Sequence, residues 1–148
     1  MARYTTSIRS PLSPDAAYDG LADFTSVADW DPGVTGAVRV DDGELALGSA
    51  FDVDVAMGPK AITFRYHLTE IDPPHQFVLR AERGPFVSLD TVTVEVAEDG
   101  ESIVTYDAVL ELKGLLGLFD PVLAIGFRRV GDKAAEGLRR HLDGVTAS

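Results

Sequence analysis

The sequence predicts an α+β fold in which a curved antiparallel sheet wraps one long C-terminal helix, leaving a cavity between them. Two observations carry that expectation. A 13-residue apolar run, LLGLFDPVLAIGF from Leu115 to Phe127, leads without a break into a charged amphipathic stretch that ends near Asp143. Upstream stand about six short segments of alternating apolar and polar residues, and nothing there is helical at comparable length.

The elements follow in order. Arg3 to Ser10 reads as a first strand. Ser13-Pro14-Asp15 then offers an N-cap serine, a proline at the first helical position and an acidic first turn. Ala17, Tyr18, Leu21 and Ala22 keep helical spacing, and this helix ends before Thr25. Val27 to Trp30 forms one more turn, broken by Asp31-Pro32-Gly33, so Trp30 sits at a corner. Strands are predicted at Thr35 to Val40, Ser49 to Met57, Ala61 to Ile71, Gln76 to Glu82, Phe86 to Ala97 and Ser102 to Leu112. Gly, Pro and Asp separate them, as in Asp42-Gly43, Asp72-Pro73-Pro74 and Gly84-Pro85.

Period two assigns the faces. Phe51, Val53 and Val55 alternate with Asp52 and Asp54, and Ile62, Phe64, Tyr66 and Leu68 alternate with Thr63, Arg65, His67 and Thr69. The apolar members face inward. In the last hairpin a two-residue Asp99-Gly100 turn would join Val92, Val94 and Val96 to Thr105 and Asp107. A three-residue Asp99-Gly100-Glu101 loop joins them instead to Val104, Tyr106 and Ala108, and a half-buried sheet needs that single apolar face.

The long helix is expected to begin near Leu118 and to run for about 26 residues, close to ~39 Å, enough to cross the sheet. Phe119, Leu123, Phe127, Val130, Ala134, Leu138 and Leu142 form its buried stripe. Arg128, Arg129, Lys133, Glu136, Arg139 and Arg140 lie mostly off that stripe, and the cationic C-terminal half suits the helix dipole.

Composition narrows the partners. The chain has 148 residues with 45% hydrophobic content and no repeat, linker or low-complexity tract, which reads as a single domain spanning residues 1–148. No cysteine is present, which excludes disulfides, zinc-thiolate sites and thiol nucleophiles and is compatible with the cytoplasm. The first residues carry no signal-peptide core. The Leu115 to Phe127 run, interrupted by Asp120 and Pro121, is too short to span a bilayer, so a soluble cytoplasmic protein with no integral membrane segment is expected. A net charge of −11 repels phosphate backbones and anionic lipid surfaces, so nucleic acid is not an expected partner. A homodimer remains open.

Three phrases carry a family resemblance: Trp30-Asp31-Pro32-Gly33-Val34, Glu70-Ile71-Asp72-Pro73-Pro74 and Arg128-Arg129-Val130-Gly131-Asp132. With the element order, they make the whole chain resemble the SRPBCC superfamily of START-like lipid-binding domains, birch-pollen-allergen-like proteins and polyketide cyclase/dehydrase-like proteins. The resemblance implies a helix-grip fold, seven antiparallel strands around the C-terminal helix, and a mainly apolar cavity. Members bind lipids, sterols, quinones, polyketides or plant hormones, and some are enzymes. No single catalytic motif unites them, so none carries over.

The candidate cavity lining comprises Trp30, Phe51, Val53, Val55, Phe64, Tyr66, Asp90, Val92, Tyr106, Phe119, Leu123 and Phe127. Asp90 and Ser88 share a face with Val92, Val94 and Tyr106. A carboxylate there is partly desolvated, its pKa raised, so Asp90 is the one candidate acid; the alternative is a solvated strand end or an arginine partner. Tyr66 and Tyr106 combine an apolar ring with a polar tip suited to a pocket or to a backbone bond. Trp30 either lines the cavity mouth or locks the short helices onto the sheet. His67, His75 and His141 fall on a polar face, in a turn and near the helix end, and read as solvated. Asp41, Asp42, Glu44, Asp52 and Asp54 lack a calcium-loop spacing and read as a solvated face, and Gly114, Gly117 and Gly126 build no phosphate loop, so neither metal nor cofactor is expected.

Three functions compete. The first is binding or transport of a small hydrophobic ligand, lipid, quinone or polyketide-like. The second is a polyketide cyclase/dehydratase-type enzyme in the same cavity, with Asp90 and a tyrosine handling protons. The third is a partner-docking module built on Leu115 to Leu118. Converging ionisable groups in the cavity favour the enzyme, and a purely apolar lining favours the carrier.

Overall fold

The computed structural model describes residues 2–57, 59–112 and 131–142. Strand β1, Ala2–Ser10, is followed by helix α1, Pro14–Ala22, a 3-10 turn at Phe24–Ser26 and the single turn α2, Val27–Trp30. Six strands come next: β2 Val34–Arg39, β3 Ala50–Met57, β4 Lys60–Asp72, β5 Gln76–Arg83, β6 Phe86–Val96 and β7 Ser102–Leu112. Residues 131–142 form a helix, α3. The strands make one antiparallel sheet in the order β1-β7-β6-β5-β4-β3-β2, so the first strand closes against the last. This is the helix-grip α+β fold. Among the described residues no helix is long and apolar enough to cross a membrane.

Local chemistry explains the helical corner. The Ser13 hydroxyl accepts from the Ala16 amide at 3.3 Å, and Pro14 occupies the first turn where no amide donor is needed. The Asp23 carboxylate ends α1 and caps the next turn, accepting from the Thr25 amide at 3.2 Å and the Thr25 hydroxyl at 2.7 Å. Asp31 then accepts from the Gly33 amide at 2.8 Å and turns the chain into β2.

The inward faces follow the alternation. Phe51, Val53, Phe64, Tyr66 and Leu68 are buried, while Arg65 and Asp52 pair on the outer face at 2.8 Å. Thr63 bonds the Asp54 carboxylate beside them. Ala134 is partly buried against the core, and Leu138 and Leu142 of α3 are enclosed by it; Lys133, Glu136, Arg139 and Arg140 are exposed. The expectations for residues 113–130, including Phe119, Leu123 and Phe127, the helix start near Leu118 and the Leu115 to Leu118 patch, lie outside the described residues.

The β6–β7 hairpin differs from the sequence reading. Ala97 donates its amide to the Glu101 carbonyl at 2.8 Å, so the three-residue loop is Glu98-Asp99-Gly100, one residue earlier than Asp99-Gly100-Glu101. Gly100 decides it: its φ of +84° is the left-handed conformation that closes such a loop, and glycine adopts it without a Cβ penalty. The slip moves the pairing by two residues, to Val92 opposite Tyr106 and Val94 opposite Val104, so the apolar face is preserved. Val96, at the strand end opposite Ser102, is 67% exposed and leaves that face.

α3 approaches the rest of the fold through two glycines. A Cβ on Gly131 would stand 2.5 Å from the Tyr4 ring, and one on Gly137 would collide with the Trp30 carbonyl oxygen. The Tyr4 hydroxyl also donates to the Asp132 carboxylate at 2.7 Å, joining β1 to α3.

Candidate functional site

Between the concave face of the sheet, α2 and α3 lies a cavity of about 490 Å³. Its wall is mostly apolar: Val53 and Val55 of β3, Phe64 of β4, Phe86 of β6 and Leu138 of α3 are among the lining residues. Trp30, Tyr66, Asp90 and Tyr106 complete the set expected from the sequence that reaches the cavity.

Phe51 and Val92 do not reach it. Both have no exposed surface, and each sits where the short helices roof the sheet. Phe51 meets the Phe24 ring edge-on at 6.3 Å, and Val92 lies opposite Phe77, whose ring is covered by Tyr18 of α1 at 5.4 Å. Strand alternation gives their side of the sheet correctly but not which stretch of that side is plugged. Trp30 fills both roles weighed for it. It is 6% exposed, borders the cavity, stands edge-on to Tyr106 at 5.4 Å, and takes α3 against its backbone at Gly137. The buried Trp30 Nε1 has no hydrogen-bond partner among the described residues.

Two hydroxyl-centred pairs interrupt the apolar wall. Tyr66, Ala81 and Ser88 are lateral neighbours across β4, β5 and β6, and the small Ala81 lets the Tyr66 hydroxyl reach Ser88 Oγ at 2.7 Å. On the next inward position of β6, Asp90 is 7% exposed and its Oδ2 accepts from the Tyr106 hydroxyl at 2.5 Å. Burial pushes the Asp90 carboxyl up to about 7, against the opposing effect of the Tyr106 hydrogen bond. Burial and the Asp90 charge push both tyrosines well above the usual phenol range. Both tyrosines therefore stay protonated, Tyr106 donating to Asp90, while Asp90 exchanges its proton near neutrality.

Asp31 is a second carboxyl on the wall, read from the sequence as a helix breaker and part of the Trp30-Asp31-Pro32-Gly33-Val34 phrase but not as a cavity residue. Burial raises its pKa and the Gly33 amide partly offsets that. An aspartate before Pro-Gly is ordinarily a solvated turn residue, so only its place beside an inward tryptophan hinted otherwise. Tyr4, Phe24 and Val27 were likewise missed, because β1 and the short helices close the cavity through tertiary contacts that period two does not encode, whereas Phe86 is in phase with Ser88 and Asp90 on β6 and follows from the alternation. His67 and His75 are exposed, and His141 borders a separate outer cleft with Asp29 and Arg140.

The sequence profile of the family described as "Polyketide cyclase / dehydrase and lipid transport" matches residues 1–143. No curated protein matches the sequence. Among solved structures, a protein from Thermus thermophilus superposes with a TM-score of 0.74 at 16% identity, covering 99% of this chain and 98% of that one. A START superfamily protein from Mycobacterium smegmatis gives 0.73 at 14% identity, covering 97% and 96%. A major latex-like protein from Panax ginseng gives 0.61 at 14% identity, covering 95% and 96%. At such identities these likenesses establish the fold.

Proposed function

The chain belongs to the polyketide cyclase/dehydrase and lipid transport family, and on that premise we propose that it binds or carries a small hydrophobic molecule in the cavity beneath the sheet. The observation that carries this reading is an apolar space of about 490 Å³ held open among well-packed neighbours. Well-packed cores rarely keep voids larger than a water molecule, and ligand sites start near roughly 300 Å³. Trp30, Val53, Val55, Phe64, Tyr66, Asp90 and Tyr106 are the ligand contacts in this reading, a lipid, quinone or polyketide-like molecule is the cargo, and the cytoplasm is its setting.

The test is titration with an environment-sensitive neutral dye. One saturable site is expected, emptied by hydrophobic competitors, and Val55→Trp should abolish it by filling the space while the circular dichroism spectrum is kept. Absence of saturable binding in the wild-type protein would overturn the reading.

A second reading, acid catalysis on a bound carbonyl compound, is favoured by the buried Asp90–Tyr106 pair and its readiness to hold a proton near neutrality. Asp90→Asn should then stop turnover while dye binding persists.

A further inference from the structure

Among the described residues, the charged groups on the cavity wall are all of one sign. Among the described lining residues the only ionisable groups other than tyrosine are Asp31 and Asp90, and no lysine, arginine or histidine joins them. Neither carboxyl has a cation as partner among the described residues. Asp90 receives the Tyr106 hydroxyl, and Asp31 receives the Gly33 amide. Arg140, which shares the outer cleft with Asp31, ion-pairs instead with Glu136 at 3.9 Å.

Asp90 is buried and Asp31 half-buried, and carboxylates removed from water are normally paired, because desolvating an unpaired one is costly. Around these two the wall supplies aromatic rings, including Trp30, Tyr66 and Tyr106, whose faces attract cations most strongly when water is excluded. An ammonium group has three donors, and a carboxylate has about four acceptor positions, so an incoming ammonium can satisfy lone pairs that the protein leaves unused. A carboxylate or phosphate headgroup would instead meet two acids in a low-dielectric space. The chain's net charge of −11 also draws cations and repels anions before they reach the cavity.

We infer that the cavity is built for a lipophilic amine, an apolar body carrying one protonated nitrogen that pairs with Asp90 and Asp31, and that it discriminates against fatty-acid-like anions. This rests on the carrier reading above and names its ligand class.

The test compares decylamine, decanol and decanoate as competitors for N-phenyl-1-naphthylamine at about pH 8, where the ammonium is charged and Asp90, titrating at about 7, is largely ionised. Decylamine should displace the dye at concentrations at least about tenfold below decanol, with decanoate weakest. Asp90→Asn and Asp31→Asn should each narrow the amine-to-alcohol ratio. Equal displacement by amine and alcohol, or strongest displacement by decanoate, overturns the amine assignment and leaves the carrier reading standing. An amine preference unchanged in both variants also overturns it, since the preference would then come from surface charge. Failure of the dye and all three competitors to bind overturns the carrier reading itself.

Discussion

Replacing Asp90 with asparagine tests the buried carboxyl through the pH dependence of stability. The folded-state carboxyl titrates at about 7 against an ordinary value of 3.8, chiefly because burial disfavours its charge. In the unfolded chain the group releases its proton first. Between about pH 4 and about pH 7 the folded state therefore holds more protons, and stability falls as pH rises across that window. The full difference corresponds to roughly 4 kcal/mol, to be discounted toward ~2 for relaxation and water penetration. Asp90→Asn keeps the size of the side chain and an oxygen for the Tyr106 hydroxyl, but cannot ionise. Urea denaturation at a series of pH values can be followed by the fluorescence of Trp30, the only tryptophan. It should give a wild-type curve that loses about 2 to 4 kcal/mol relative to the variant between about pH 4 and about pH 8. Asp41 and Asp52, whose pKa values are lowered by Arg39 and Arg65, cancel in the comparison. Parallel profiles would refute the argument, because an inward, desolvated Asp90 cannot ionise without cost.

Three further outcomes follow from the packing. Gly137→Ala forces a methyl group against the Trp30 carbonyl, and should lower stability by about 1–3 kcal/mol and shift Trp30 emission; an unchanged melting curve would mean α3 does not abut Trp30. Tyr66→Phe removes the hydrogen bond to Ser88 and should cost about 1 kcal/mol in denaturant titration, while dye affinity stays within a few-fold because the ring remains. Arg65→Ala, which removes an exposed bidentate pair with Asp52, should leave the urea midpoint nearly unchanged, and any small difference should vanish at high salt.

Much of this architecture can be read from residue order. The alternation through Phe51–Val55 and Ile62–Leu68 gives the concave face directly, and the Ser13-Pro14 signal starts α1 where the structure starts it. Asp90 is legible for the same reason: a charged residue in phase with Val92 and Val94 has to be buried or break the pattern. What escapes is anything set by distant contacts. Nothing local tells that Tyr18 covers Phe77 and so seals Val92 into the core, or that the Asp31 turn folds against the cavity. The hairpin slip has a local cause, the left-handed demand at Gly100, and could have been found by placing the glycine at the last loop position.

The pairing of β1 with β7 sets an order of events for the nascent chain. β2 through β6 can zip together as successive local hairpins while synthesis proceeds, but Ile8 has no strand partner until Val104 has emerged. Closing a loop of about 100 residues costs roughly 4 kcal/mol of chain entropy by the (3/2)RT ln n rule, a barrier the neighbouring hairpins do not face. Until then Ser7, Ile8 and Arg9 present an open strand and the cavity lacks the wall that Tyr4 and Thr6 supply. The interval between making the first strand and finishing the seventh is thus the period in which this chain is most exposed to wrong pairing with other strands. The cavity, which needs that closed wall, is not complete before it ends.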